Sequence, residues 1–316
     1  MIPVVILAAG EGRRLGPLGK HYRKVLLPVG DRTLLAHHLE TFAALGARRF
    51  VLVVGPESEA VTAESGRVLA RLGASQDVVL QTRRLGIGHA VLSAESVLRG
   101  GPFVLVLGDT YYTPRDLGSA AAALAAGEYD ALLSVRTVAD EARIRKECTI
   151  ALGRDGLVER IVEKPARALS RLKPCGIYFF GPRIWRALRE TPPSSLRNEV
   201  ELTDAIQRLI SAGGRVGSRE TLFSDVNITY PADVLEANLE WLRRRGGGTF
   251  VDPAAVLSEG ASLAQAVVGA GARVGAGARL SRAVVFPHAQ VPARGELSDA
   301  LAVAGVGTVD ARVSRT

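Results

Sequence analysis

Apolar runs of strand length alternate with amphipathic stretches of helix length through the first 135 residues of this chain of 316. Strand-like runs are Val4–Ala9, Phe50–Val54, Val78–Thr82, Phe103–Leu107 and Ala131–Val135. Between them lie Leu34–Leu45, Glu57–Leu72, Gly88–Leu98 and Pro114–Ala126, all helix-like. Strand, helix, strand with short turns predicts a mostly parallel sheet with helices on both faces, a Rossmann-like α/β fold. Phe103–Leu107 is apolar throughout, as a strand covered on both faces must be. Residues 140–225 are more mixed. Strand candidates there are Cys148–Leu152, Val158–Glu163, Gly176–Phe180 and Arg215–Leu222; helix candidates are Ile184–Glu190 and Glu201–Ala212. A last helix, Pro231–Arg244, stops at Gly246-Gly247-Gly248, a hinge signal.

Beyond the glycines the pattern changes period. Residues 268–285 repeat Val-Gly-Ala-Gly-Ala-Arg and continue Leu-Ser-Arg-Ala-Val-Val, an aliphatic residue opening each unit of six. Val251, Leu257 and Leu263 extend it backwards; Val285, Val291 and Leu297 extend it forwards. A six-residue period predicts a β-helix, here a small left-handed one of about three coils. A Gly/Ala-rich linker would not keep phase for so long. Exposed coil edges call for a partner subunit, so a homo-oligomer is expected. The expected domains are 1–245, 249–303 and a tail, 304–316, where the pattern is lost.

Composition narrows the class. Two cysteines, Cys148 and Cys175, make neither a disulfide framework nor a metal cluster and read as small buried hydrophobes. The first apolar run is too short to span a bilayer and lacks the flanks of a signal peptide, so a cytoplasmic protein with no membrane association is expected. Net charge is +8, and only five of the 40 basic residues are lysine (20, 24, 146, 164 and 173). No basic run exceeds three residues, and aromatics are 5%. The excess charge therefore suits phosphorylated small molecules better than nucleic acid.

The candidate chemistry starts at the end of the first strand, with Gly10-Glu11-Gly12-Arg13-Arg14-Leu15-Gly16. A dinucleotide fingerprint needs its third glycine one residue earlier and a helix at once, which Pro17 and Gly19 are expected to forbid before Val25. A P-loop fails too: its first glycine position holds Arg14, and His21 stands where Ser or Thr belongs. What fits is an open glycine loop whose N–H groups touch a nucleotide while Arg and Lys side chains reach its phosphates.

The stretch "LAAGEGRRLGPLGKHYRKVLLPVGDRTLL" resembles, without a gap, the signature of the sugar-1-phosphate nucleotidyltransferases. Arg14 falls on the family arginine and Lys24 on the family lysine; Arg23 replaces a proline and Arg13 a small residue. Further matches follow in order: "LQTRRLGIGHAV" (80–91), "VLVLGDTYY" (104–112), "IVEKP" (161–165), "EVELTDAI" (199–206) and "DVNITYPADVLEAN" (225–238). The resemblance implies that Leu7, Ala8, Ala9, Gly10, Gly12, Arg13, Gln81 and Gly86 bind the nucleotide, Gln81 at the base edge and Gly86 by letting the ring approach. It implies catalytic roles for Arg14, Lys24 and Lys164, and acceptor contacts from Glu163, Lys164 and Thr149. Asp109 and Asn227 would hold Mg²⁺, with Asp225 the second choice. Ile87 stands where relatives carry Thr. Read from the residues alone, Asp109 could instead cap the next helix, a reading that the buried apolar strand and Gly108 before it oppose; Lys164 could be a solvated turn lysine, and Gln81 an ordinary strand-end amide.

The reaction implied is NTP + sugar-1-phosphate → NDP-sugar + pyrophosphate, with UTP or dTTP favoured by Gln81. The acceptor phosphate is already mostly dianionic at neutral pH and needs no general base. Positioning and electrostatics then supply the catalysis. Relatives carry Tyr-Gly beside the sugar, where this chain reads Glu147-Cys148-Thr149. That leaves open a guanylyltransferase acting on an unusual sugar or cyclitol phosphate. A regulatory subunit that binds nucleotide-sugar without turnover is a second alternative, opposed by the retained lysines. The repeat is too short for the acetyltransferase site of bifunctional relatives.

Overall fold

The computed structural model describes residues 2–140, 144, 147–195 and 198–312, which group into two compact units. The first comprises residues 1–9, 38–108 and 112–225; the second comprises 10–37, 109–111 and 226–316.

The first unit is built on a seven-stranded sheet. Its order is Val216–Arg219, Ala131–Thr137, Leu172–Phe180, Phe103–Leu107, Val4–Ala8, Arg49–Val54 and Ser75–Leu80. All neighbours run parallel except Leu172–Phe180, which is antiparallel to both of its own. Val4, Val5 and Ile6 are all buried. Alternate side chains point to opposite faces, so both faces of the central strand are covered, as its unbroken apolar pattern requires. A hairpin, Cys148–Leu152 with Val158–Glu163, packs against the helix Leu202–Ser211. The expected strand Arg215–Leu222 is in fact two strands, Val216–Arg219 and Leu222–Asn227, the second paired with Thr110–Pro114. Gly88–Leu98 is likewise split, into Ile87–Leu92 and Glu95–Leu98.

The second unit joins the glycine loop, the helix Pro231–Arg244 and the C-terminal repeat around one apolar core. Leu15, Leu18 and Leu27 from the loop share it with Val234 and Leu239 from the helix and with Val267, Val284 and Phe286 from the repeat. The edge of one ring of the pair Tyr22 and Phe286 meets the face of the other at 5.4 Å.

The repeat coils as a β-helix-like stack. Val251, Val268, Val285 and Ala302 are successive parallel partners. Each coil therefore takes 17 residues, two sides of six and one of five, a departure from a strict six-residue period. Three columns of left-handed residues turn the corners: Gly260, Gly277 and Arg294; Gln265, Arg282 and Asp299; Gly271, His288 and Gly305. Arg282 pairs with Asp299 on the next coil at 2.6 Å, which offsets part of the cost of two non-glycine residues at positive φ. In the expected tail, Gly307–Asp310 folds back antiparallel on Glu296–Val303 and covers that edge. Residues 313–316 lie outside the described residues.

Candidate active site

The glycine loop opens the second unit. Against the expectation from Pro17 and Gly19, the chain does form a helix before Val25. A 3₁₀ turn, Arg13–Leu15, and a short helix, Pro17–His21, fill the loop. Proline sits at the start of that helix, where no N–H is required of it and its fixed φ is already helical. Gly19 lies against the loop's own backbone: a Cβ there would meet the Gly12 carbonyl oxygen at 2.3 Å. Gly12 itself has φ +71° and lies against the Lys24 stem.

These turns leave a groove of about 490 Å³ lined by Glu11, Arg13, Gly16, Lys20 and Arg23 among others. Arg13 pairs with Glu11 at 2.6 Å. Lys20 is a further cation of this groove, beside Arg13 and Arg23, that the family signature did not single out; its signal was only the density of positive charge after the first strand. Arg14 lies over the Tyr230 ring at 5.8 Å. Tyr230 is fixed in turn by its N–H and that of Thr229, which both donate to Asp233 at the start of the helix.

Lys24 and Asp109 form an ion pair at 2.9 Å. Asp109 does not cap a helix: a strand, Thr110–Pro114, follows it, and the next helix is capped by Asp116, which accepts from the Ser119 N–H at 3.1 Å. The backbone carbonyl of Asp109 accepts from Ile228 N–H at 2.8 Å, which places Asn227, exposed, in the adjoining segment. Asp225 is buried among cations of the first unit instead. Arg136 donates to one of its oxygens at 2.9 Å and Lys173 to the other. A partly exposed carboxylate with an exposed amide side chain in the adjoining segment offers hard-oxygen donors of the kind Mg²⁺ accepts while keeping waters and phosphates as its other ligands. Among the described residues no group of three or more His, Cys, Asp or Glu is arranged to hold a metal by itself.

In the first unit, Leu7 and Ala8 end the first strand and Ala9 follows it. Gln81 is buried, its amide nitrogen near Gly86 O and His89 Nδ1 at 3.5 and 3.4 Å. Gly86 has an internal reason to lack a side chain: at φ +96° a Cβ would meet Val200 O at 2.7 Å. Glu163 and Lys164 are exposed and line a second groove, of about 790 Å³, with Arg160, Thr203, Asp204 and Gln207. Thr149 does not reach that surface. It is fully buried, and its hydroxyl donates to Ser170 O at 3.2 Å. The two cysteines are buried, and burial pushes both thiols well above their ordinary range.

The sequence model of the family described as Nucleotidyl transferase matches residues 3–228. The chain belongs to the nucleotidyl transferase family. Its activity is nucleotidyl transfer from an NTP to a sugar-1-phosphate. Members of the family are generally metal-dependent. The chain is similar to a glucose-1-phosphate thymidylyltransferase of Streptomyces antibioticus, 33% identical over 298 residues, 89% of this chain and 77% of that one. It is also similar to the UTP–glucose-1-phosphate uridylyltransferase AglF of Haloferax volcanii, 31% identical, covering 74% of this chain and 93% of that one. A UDP-glucose pyrophosphorylase solved with UDP-glucose shares the fold at TM-score 0.69 and 22% identity, over 78% of this chain and all of the other. Among the described residues no helix is long and apolar enough to cross a membrane.

Proposed function

We propose that this nucleotidyltransferase uses UTP or dTTP and passes its nucleotidyl group to a hexose-1-phosphate or a close analogue. The observation that supports this best is the pairing of Lys24 with Asp109 in the unit that also carries the cationic groove of the glycine loop. The uridylyl and thymidylyl relatives support the choice of base.

In this reading Arg13, Lys20 and Arg23 neutralise the triphosphate, and Gly10 and Gly12 let loop N–H groups approach it. Leu7, Ala8 and Ala9 lead the chain into that loop, and Gln81 reads the base edge. Lys24 and Arg14 balance charge that builds at the α-phosphate and on departing pyrophosphate. Glu163 binds acceptor hydroxyls and Lys164 its phosphate, so that the dianion is oriented for in-line attack without a base. Thr149 acts from behind, by holding the hairpin. Asp109 and Asn227 would hold Mg²⁺, which when bound neutralises phosphate charge. The catalytic body of residues 1–245, the coil of 249–303 as an assembly element, a homo-oligomeric state and a cytoplasmic setting belong to the same proposal.

The test is pyrophosphate release by the purified chain with Mg²⁺, each of five common NTPs in turn, and a panel of sugar-1-phosphates. Release with UTP or dTTP, abolished by chelation, is expected. Release with GTP alone would overturn the choice of base, and release only with cyclitol phosphates would overturn the choice of acceptor.

A further inference from the structure

Four charged side chains of the first unit form a string of alternating sign: Arg136, Asp225, Lys173 and Glu147. Arg136 Nε donates to Asp225 at 2.9 Å, Lys173 Nζ donates to the other Asp225 oxygen, and Lys173 also pairs with Glu147. The Lys173 and Asp225 side chains are 5% and 3% exposed. Ionic groups are rarely placed so deep unless paired, and alternation leaves no net charge buried. Burial, the largest single influence, lowers the Lys173 pKa, but Asp225 and the other acidic neighbours together raise it above the ordinary lysine value.

The far end of this string meets a strained turn. The Glu147 carbonyl accepts from the Lys164 N–H at 2.7 Å, one step beyond the last hairpin pair, Glu163 with Cys148. Lys164 has φ +45° and precedes Pro165. A proline favours extended backbone in the residue before it, and a left-handed lysine is disfavoured on its own account. Such a conformation persists only where its surroundings over-determine it.

We infer that Lys173 is a positioning residue: braced by Asp225, its ammonium fixes Glu147, whose carbonyl holds Lys164 in the left-handed turn that presents it to the acceptor phosphate. The last step rests on the role proposed for Lys164 above; the link from Lys173 to the turn does not. Lys173 touches no substrate in this scheme. It selects which half of the reaction suffers when it is lost: acceptor binding, with NTP binding spared.

The test uses the full chain and two variants. Lys173→Met removes the ammonium. Glu147→Gln leaves the Arg136–Asp225–Lys173 cluster intact and weakens only its grip on the turn, so it remains informative if the first variant folds poorly. Two readouts are taken: amide hydrogen exchange at Lys164, and KM for each substrate. In Lys173→Met the Lys164 amide should exchange at least tenfold faster while amides of Phe103–Leu107 are unchanged. KM for the sugar phosphate should rise about tenfold, with KM for the NTP within twofold; Glu147→Gln should show both effects more weakly. Unchanged exchange in both variants overturns the inference. So does faster exchange with an unchanged acceptor KM, or an equal rise in both KM values with faster exchange throughout the sheet. If wild-type protein releases no pyrophosphate with any acceptor while the exchange difference holds, the link from Lys173 to the turn stands and the role of Lys164 falls.

Discussion

The ammonium of Lys24 donates to the carboxylate of Asp109 at 2.9 Å, across 85 residues of sequence. One group ends the glycine loop and the other begins the segment after a buried strand, and the fold makes them a single electrostatic unit. The Lys24 side chain is 11% exposed and Asp109 36%. In the function proposed above each exchanges its partner for a ligand: the lysine for a phosphate, the carboxylate for a cation.

A partly exposed ion pair contributes only about 0–1 kcal/mol to stability. Lys24→Ala should therefore leave the melting temperature within a few degrees of wild type and lower kcat/KM on the order of 10²–10³, the loss typical of one charge-stabilising group. Steady-state pyrophosphate release together with a thermal melt checks both halves. Near-normal turnover would remove Lys24 from the mechanism.

The glycine loop is tested by Gly19→Ala. The added Cβ would lie 2.3 Å from a backbone oxygen, which cannot move aside as a side-chain tip can. The loop must shift, at a cost of about 1–3 kcal/mol. KM for the NTP should rise at least tenfold with the acceptor KM little altered. An unchanged NTP KM would mean that the loop does not grip the triphosphate.

Thr149 and Lys164 should separate cleanly. Thr149→Val removes a buried hydrogen bond to Ser170 and should cost about 1 kcal/mol of stability while leaving KM for the sugar phosphate within threefold. Lys164→Ala, at an exposed turn, should do the reverse. Equal effects on acceptor KM would return Thr149 to the ligand surface.

Alkaline pH gives a test in the second unit. Burial, followed by the Glu240 charge, pushes the Tyr111 phenol up to about 12 from an ordinary value near 10. The unfolded chain then loses this proton before the folded one does. Its stabilising contribution is whole below about pH 10 and is lost as pH rises towards 12, on the order of 2–3 kcal/mol. Denaturant melts between pH 9 and 12 should fall less steeply in Tyr111→Phe than in wild type. Parallel slopes would show that Tyr111 ionises as freely in the folded protein as in the unfolded one.

The sequence by itself determined the parallel sheet, the helices between its strands, the turn to a coiled repeat after Gly248, and the order of the family motifs. These are local properties: a period of two or 3.6 residues, a glycine where a turn needs one, a lysine among arginines. The helix Pro17–His21 was missed because proline forbids a helix interior but not its first turn. The 17-residue coil was missed because a side of five residues and a side of six look alike until strands pair. Only the tertiary structure decided which acid faces outward. Asp109 and Asp225 are both metal-ligand candidates in sequence, yet one pairs with a partly exposed lysine and the other is enclosed by Arg136 and Lys173. It also decided that Thr149 points inward and that the glycine loop shares a core with the repeat, Tyr22 against Phe286. Each depends on which distant residues remove a side chain from water, and the linear pattern holds no record of those contacts.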